Sequence, residues 1–312
     1  MQVTRGIPEH AKQPSVLTIG NFDGVHRGHQ ALLRQLVERA HSVGAPATVL
    51  TFEPHPREYF APAHAPARLA SLREKLILLA ANGVECVHVV RFNAHFASLS
   101  AERFVDDMLV RGLGVRHVII GDDFRFGAGR RGDFAFLQQA AVTHGFSVEA
   151  MDTVELGDSR ISSSAVRDAL AGGDVALATH YLGRPYSIAG RVSSGQRLGR
   201  TLGFPTANIM MKHRKPPLSG VFAVCIEGLR PGLIEGVANV GVRPTVGATP
   251  RPILETHVFD WSGNCYGAHL RIHFMHKLRD EMRFESIDAL SHQIGKDIQH
   301  ARDWFAINPI ED

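Results

Sequence analysis

Cysteine is scarce in this chain. Cys86, Cys225 and Cys265 are scattered through 312 residues, odd in number, and form no CxxC pair. That spacing excludes a disulfide framework and a cysteine-built zinc site, and it suits a reducing compartment. Long apolar runs are missing as well. No stretch reaches the length that spans a bilayer, and Met1–Pro8 lacks the apolar core of a signal peptide. The expectation is a soluble, cytoplasmic protein with no membrane partner. Charge of one sign is not concentrated: 34 Lys+Arg face 31 Asp+Glu, a formal net charge of +3, with no basic block. No nucleic-acid partner is therefore expected. The sequence GxxxxGK[ST] does not occur, which excludes a P-loop enzyme.

What is present suffices for sizeable cores. The hydrophobic fraction is 44% and the charged fraction 21%, a balance suited to one large or two ordinary domains. From Ser15 to Met151 short apolar runs alternate with amphipathic ones. The runs predict strands at Ser15–Gly20, Ala47–Phe52, Cys86–Val90, His117–Gly121 and Ser147–Met151. Helices are predicted near Gln30–Ser42, Leu72–Asn82, Ala101–Arg111 and Phe134–His144. Such alternation predicts a mostly parallel sheet covered by helices on both faces, with ligands beyond the carboxyl ends of the strands. After a helix through Val175–Leu182 the texture changes near Gly183–Pro185, which divides the chain at 183/184. The second part shows short strands (Ser187–Val192, Gly220–Glu227, Leu233–Val240, Leu254–Phe259, Ala268–Met275) and a closing helix over Ser286–Ile307. Antiparallel strands at this spacing predict a small barrel.

The stretch Gly20-Asn21-Phe22-Asp23-Gly24-Val25-His26-Arg27-Gly28-His29 falls on the first strand-to-helix turn. Unpaired N–H groups and the helix dipole make such a turn an anion site. His26 and His29 add ring donors, and Gly28 leaves room for close approach of a nucleotide. An ordinary polar loop is the plain alternative, and a metal pair would lack a third ligand at the usual spacing. The second strand empties into Thr51-Phe52-Glu53-Pro54-His55-Pro56, where two prolines predict an extended, rigid loop that either connects or lines a substrate. Gly121–Asp133 gathers four glycines, three arginines and two phenylalanines, suited to a planar ring and a phosphate. Ser162–Ser164 precede an amphipathic run with Arg167 one turn in, which reads as helix capping or as a phosphate cradle. In the second part Ser193–Asn208 is a basic, glycine-rich flap. Thr206 and Asn208, two residues apart, would share one face of a strand and offer neutral oxygens to a hard cation. Glu255 lies between apolar neighbours; it is a solvated glutamate or, if it faces a site, a carboxylate base.

His-x-Gly-His at a first βα turn resembles the nucleotidylyltransferase superfamily, which includes class I aminoacyl-tRNA synthetases. Nearly the whole chain resembles one family, the prokaryotic bifunctional riboflavin kinase/FAD synthetases. The likeness rests on Gly20–His29, Thr51–Pro56, Gly121–Gly127 and Ile161–Asp174 in the first part, and on Gly199–Asn208, Gly236–Thr245, Glu255–Gly267 and Leu278–Phe284 in the second. It implies a nucleotidylyltransferase-type α/β domain over residues 1–183 and a riboflavin kinase-like barrel over 184–312. The barrel would phosphorylate riboflavin with ATP and Mg²⁺; the first domain would join FMN to the AMP part of a second ATP, giving FAD and pyrophosphate.

By this resemblance His26, His29 and Arg167 are catalytic in the first domain and Glu255 is the kinase base. Gly20, Phe22, Gly28, Ser163, Ser164, Arg200 and Gly203 would line nucleotide. Phe52, Pro54, His55, Asp123 and Phe124 would line flavin, with Asp123 standing where the family pattern has Asn. Thr206 and Asn208 would hold Mg²⁺. Two rival classes stay open: another adenylyltransferase acting on pantetheine phosphate or nicotinate mononucleotide, and a non-catalytic flavin-binding regulator. A homo-oligomer is compatible with the sequence.

Overall fold

The computed structural model describes residues 1–121, 123–151, 154–156, 159–193, 204–211, 215–243 and 251–310. The chain forms two compact units, Met1–Pro66 with Ala70–Ser162, and Ala67–Leu69 with Ser163–Asp312.

In the first unit six strands make one parallel sheet. They are β1 (Gln2–Arg5), β2 (Ser15–Ile19), β3 (Ala47–Glu53), β4 (Cys86–Arg91), β5 (Val115–Gly121) and β6 (Ser147–Met151), in the order β1-β4-β3-β2-β5-β6. The winding reverses at β2, which has β3 on one side and β5 on the other, so the loop after β2 opens at the switch point. Helices α1 (Arg27–Val43), α2 (Pro56–Phe60), α3 (Leu72–Ala81), α4 (Ala94–Ala97), α5 (Ala101–Arg103) and α6 (Phe134–His144) connect the strands. Period-2 alternation sorts the side chains of β2: Val16 joins Leu33, Leu36 and Leu79 of α1 and α3 on one face. Leu17 and Ile19 join Phe104, Leu109 and Leu137 on the other. Both faces are covered, as the sequence predicts. A short ribbon, β7 (Glu155–Leu156) with β8 (Ser159–Arg160), follows the sheet.

Several details differ from the sequence reading. The helix after the histidine motif starts at Arg27 and not near Gln30, because His26 caps it. The run predicted as one helix over Ala101–Arg111 begins as α5 and widens into a π-helix over Phe104–Gly112. The rigid loop after β3 contains a cis Glu53–Pro54 peptide bond and yields to α2 at Pro56, with His55 and Glu58 forming a reciprocal cap.

The second unit opens with α7 (Ser163–Gly172) and α8 (Val175–Leu182). Six strands follow: β9 (Tyr186–Ser193), β10 (Thr206–Met210), β11 (Gly220–Glu227), β12 (Ile234–Arg243), β13 (Arg251–Val258) and β14 (His269–Arg279). They close an antiparallel barrel in the order β10-β13-β12-β11-β14-β9. Its interior is packed with apolar side chains: Phe222, Val224, Val240, Leu254, Ile272 and Phe274 are fully buried. The closing helix α9 (Ile287–Ile307) lays Ile298, Ala301 and Phe305 on the outer face of the barrel, against Val221, Ala223, Cys225 and Val237.

Candidate active sites

The histidine motif is a helix start turned to a second use. His26 takes the N-cap of α1 with φ −70° and ψ 170°, and its Nδ1 accepts the His29 backbone N–H at 3.3 Å. A nitrogen that accepts carries no proton, so the neutral His26 ring bears its hydrogen on Nε2. The His26 and His29 rings stack with centroids 3.7 Å apart and planes at 22°. Phe22, wholly buried, closes on His29 from the other side at 5.0 Å. Burial holds the His29 ring well below the ordinary histidine range, and the neighbouring His26 and Lys75 push it further down. The His29 ring is therefore a neutral donor at neutral pH.

The loop that presents them is strained. Phe22 and Val25 hold φ of 47° and 43°, a left-handed conformation costly for a β-branched side chain. Buried Asp23 ties this loop to the next by accepting the Ala70 N–H at 3.2 Å. At Gly20 a Cβ would meet the Phe22 ring at 3.0 Å, and at Gly28 it would meet the His26 ring at 3.2 Å. Gly28 thus leaves room for His26 itself, a reason the sequence alone did not give.

Lys75 escapes sequence reasoning and belongs to this site. It is 4% exposed, and its Nζ donates to Thr51 Oγ1 at 3.5 Å. The sequence carried a signal: Lys75 falls three residues after Leu72 and four before Leu79, within the apolar stripe of α3. Close by in the fold, Thr18 Oγ1, Asn21 Oδ1 and His29 Nδ1 are buried with no protein partner among the described residues.

The residues assigned to flavin sit on neighbouring loops of the same unit. Phe52 packs edge-on against Phe92 at 5.8 Å and tilted against Phe96 at 5.3 Å. His55 Nδ1 accepts the Arg57 N–H as the cap of α2, and Pro54 lies between the two. Phe124 stacks on Phe126 at 5.6 Å, while the exposed Asp123 pairs with Arg160 at 3.0 Å. Ser163, Ser164 and Arg167 stand in the first turns of α7, in the second unit. There the Arg167 guanidinium donates from Nε to the Ala67 carbonyl.

The barrel carries its own constellation. Asn208 of β10 pairs in register with Glu255 of β13, which pairs on its other side with Asn239 of β12. Register partners share a face, so two amides and a carboxylate form a row across three strands. Thr206 stands in the same way opposite His257, whose Nδ1 donates to the Pro205 carbonyl at 2.9 Å. Leu254 and Thr256 are fully buried, while Glu255 and His257 are only half-buried. The row therefore lies on the outer surface of the barrel, next to the patch that α9 covers. Asn239 was not singled out by sequence reasoning; the Gly236–Thr245 stretch was. Arg200 and Gly203 lie outside the described residues.

Each unit thus collects ring donors or hard oxygens of the kind that bind polyphosphate, the chemistry of a phosphate-transferring enzyme. The comparisons give that class its family. An FAD synthetase model matches residues 8–165 and a riboflavin kinase model residues 182–305. Proteins named bifunctional riboflavin kinase/FMN adenylyltransferase match along the full length. That of Pseudomonas fluorescens is 51% identical over 97% of both chains. That of Escherichia coli K12 is 49% identical over 98% of this chain and 99% of its own. A crystal structure titled as a macrolide-efflux protein of Streptococcus pneumoniae superposes with a TM-score of 0.84 and 28% identity, over 97% of this chain and all of its own. The chain belongs to the bifunctional riboflavin kinase/FMN adenylyltransferase family. Among the described residues, no helix is long and apolar enough to cross a membrane.

Proposed function

We propose that this chain converts riboflavin to FMN in its barrel and FMN to FAD at its histidine motif, using ATP in both steps. The functional boundary is proposed at 183/184; the FAD synthetase match ends at 165 and the riboflavin kinase match begins at 182. The observation that carries the reading is that the His26–His29 stack and the Asn208–Glu255–Asn239 row stand in different compact units. Two activities therefore have two sets of groups.

In the kinase step the Glu255 carboxylate takes the proton of the ribityl 5′-hydroxyl. The freed oxygen bonds to the γ-phosphorus of ATP as the bond to the ADP oxygen breaks. In the adenylyl step an FMN phosphate oxygen bonds to the α-phosphorus of ATP, and pyrophosphate leaves. His26 and His29 donate ring N–H groups to the α-phosphoryl oxygens as negative charge builds there. Neither reaction needs a covalent intermediate; positioning and charge neutralisation suffice. Thr206 and Asn208 offer a hydroxyl and an amide oxygen two residues apart on β10, and Glu255 stands opposite Asn208. A small set of oxygens beside a nucleotide suits Mg²⁺, which keeps most of its other ligands as phosphate and water. When bound there, it would neutralise charge on the ATP phosphates. We place the enzyme in the cytoplasm, in keeping with free Cys86, Cys225 and Cys265.

Chromatographic assay of both products separates the assignments. His29→Ala should lower FAD formation from FMN by about 10²–10³-fold, the usual cost of a transition-state donor, and spare FMN formation. Glu255→Ala should do the reverse. Either substitution silencing both reactions, or neither, would overturn the assignment.

A further inference from the structure

The barrel site is least secured where β10 begins. Pro205 stands just before it and has no N–H to give to β13, so Thr206 and His257 form the first pair of the ladder. The end of a ladder has support on one side only and opens most readily. Thr206 carries one of the two oxygens read as Mg²⁺ ligands, and the other, on Asn208, stands opposite Glu255. At such a group a displacement of about 1 Å costs about 10²-fold in rate.

His257 adds a bond beyond that end. Its Nδ1 donates to the Pro205 carbonyl at 2.9 Å. A carbonyl only accepts, so Nδ1 carries a hydrogen. Phe204 meets the same ring edge-on, with centroids 6.0 Å apart and planes at 90°. One imidazole thus holds both residues that lead into Thr206. The ring is backed in turn by Phe259, 3% exposed, at 6.0 Å. The Arg302 guanidinium of α9 lies 4.5 Å from the centre of the Phe259 ring and pairs with Asp260 at 2.9 Å. Leu254, Thr256 and Val258 are buried while Glu255 and His257 are half-buried, so alternation sets the latter two on the outer face. Their rungs stand about 7 Å apart along β13.

We propose that His257 is a positioning residue for phosphoryl transfer to riboflavin: its Nδ1–H holds the Pro205 carbonyl to β13 and so fixes the Thr206 hydroxyl on the face that Glu255 occupies. The proposal rests on the reading that Thr206, Asn208 and Glu255 serve the kinase step. The role asks no contact of the ring with substrate or metal; it acts through the backbone at the start of β10. Plain packing of an aromatic ring between Phe204 and Phe259 is the competing account. The two accounts differ in what the residue must supply. Packing needs a flat ring, and positioning needs a donor at Nδ1. Phenylalanine supplies the ring alone. Asparagine supplies the donor alone, since its amide nitrogen stands as many bonds from the backbone as Nδ1 does.

The test uses the full-length protein and begins without substrate. With ¹⁵N-labelled histidine, the His257 signals being assigned by their loss in His257→Asn, the unsubstituted ring should carry its hydrogen on Nδ1. A neutral ring protonated only on Nε2 overturns the proposal whatever the variants do. In His257→Phe, hydrogen exchange of the Thr206–Asn208 amides should quicken by about tenfold or more, the mark of a ladder end that opens. The same variant should lower kcat for FMN formation by about ten- to a hundredfold, as loss of an outer partner of a metal ligand does, and raise the Mg²⁺ concentration that gives half the maximal rate. The KM for riboflavin should barely move, and FAD formation from supplied FMN should persist, which shows that the chain has folded. His257→Asn should recover most of the kcat and of the exchange protection. A His257→Phe enzyme with normal kcat, or a His257→Asn enzyme no better than His257→Phe, refutes the idea. The reading beneath it fails separately: if Glu255→Ala still makes FMN at the normal rate, the row is not the kinase site, even where His257→Phe loosens β10.

Discussion

Gly28 occupies the first turn of α1, where a glycine costs about 1 kcal/mol against alanine. The fold accepts that cost because a Cβ there would press the His26 ring at 3.2 Å and approach the Ile161 carbonyl at 3.5 Å. The same ring caps the helix and stacks on His29, so one displaced imidazole disturbs both donors. Gly28→Ala should therefore hold or raise stability, by up to about 1 kcal/mol, while FAD formation falls about tenfold or more. Urea unfolding read beside both product assays checks this, and normal FAD formation in that variant would show the space to be dispensable. At this scale the histidines and Glu255 are legible as residue types in a pattern. Lys75 is not, because an amphipathic stripe does not reveal which of its members carries a buried charge. Asn239 escapes for a related reason: only strand register brings it beside Glu255.

Among the elements, α9 shows how a barrel face is closed without covering the Asn208–Glu255–Asn239 row. Its apolar stripe covers β11, β12 and β14, and polar pairs at Arg302–Asp260 and Arg279–Asp297 hold its register. Asp297, 3% exposed, receives Arg279 Nε at 2.9 Å and Nη2 at 2.6 Å, a two-pronged pair that also takes Gln293. Removing the carboxylate strands a guanidinium in a half-buried place. Asp297→Ala should cost about 3 kcal/mol in urea unfolding, and Asp297→Asn, which keeps one acceptor, should cost less. Equal and negligible losses would mean that water reaches the pair. Elements with strong local signals were readable from the sequence: β2, β3 and β5 are apolar runs with both faces covered, and α9 keeps a clear stripe. Elements fixed by their neighbours were not. β1 is a four-residue, largely exposed edge strand that exists because β4 offers it a free edge. The barrel closes only through β10, whose place between β9 and β13 is set by pairing and not by its own composition.

On the scale of the whole molecule, proton uptake should act unequally on the two units. Histidines held below the ordinary range occur in both units. His29, His88 and His117 belong to the first unit and His273 to the second. Burial is the leading cause in each. It is reinforced at His117 by Arg39 and opposed there by Glu149, and it is opposed at His273 by Glu227. A histidine kept neutral in the fold binds its proton more readily once unfolded, at about pH 6.5. The stability it contributes is thus complete above that pH and is lost as pH falls toward its folded value. Three such groups against one predict that acid loosens the first unit more than the barrel. Both tryptophans, Trp261 and Trp304, lie in the second unit, so their fluorescence follows the barrel while far-ultraviolet circular dichroism follows the whole chain. Melts between about pH 7.5 and 5.5, above the range where carboxylates titrate, should show the dichroism midpoint falling more steeply than the fluorescence midpoint. His117→Gln should flatten part of that fall, since it removes one proton site and keeps a polar side chain beside Ser147 and Glu149. Midpoints that coincide at every pH would mean that the units unfold as one, and a flat profile would mean that these rings are not held neutral.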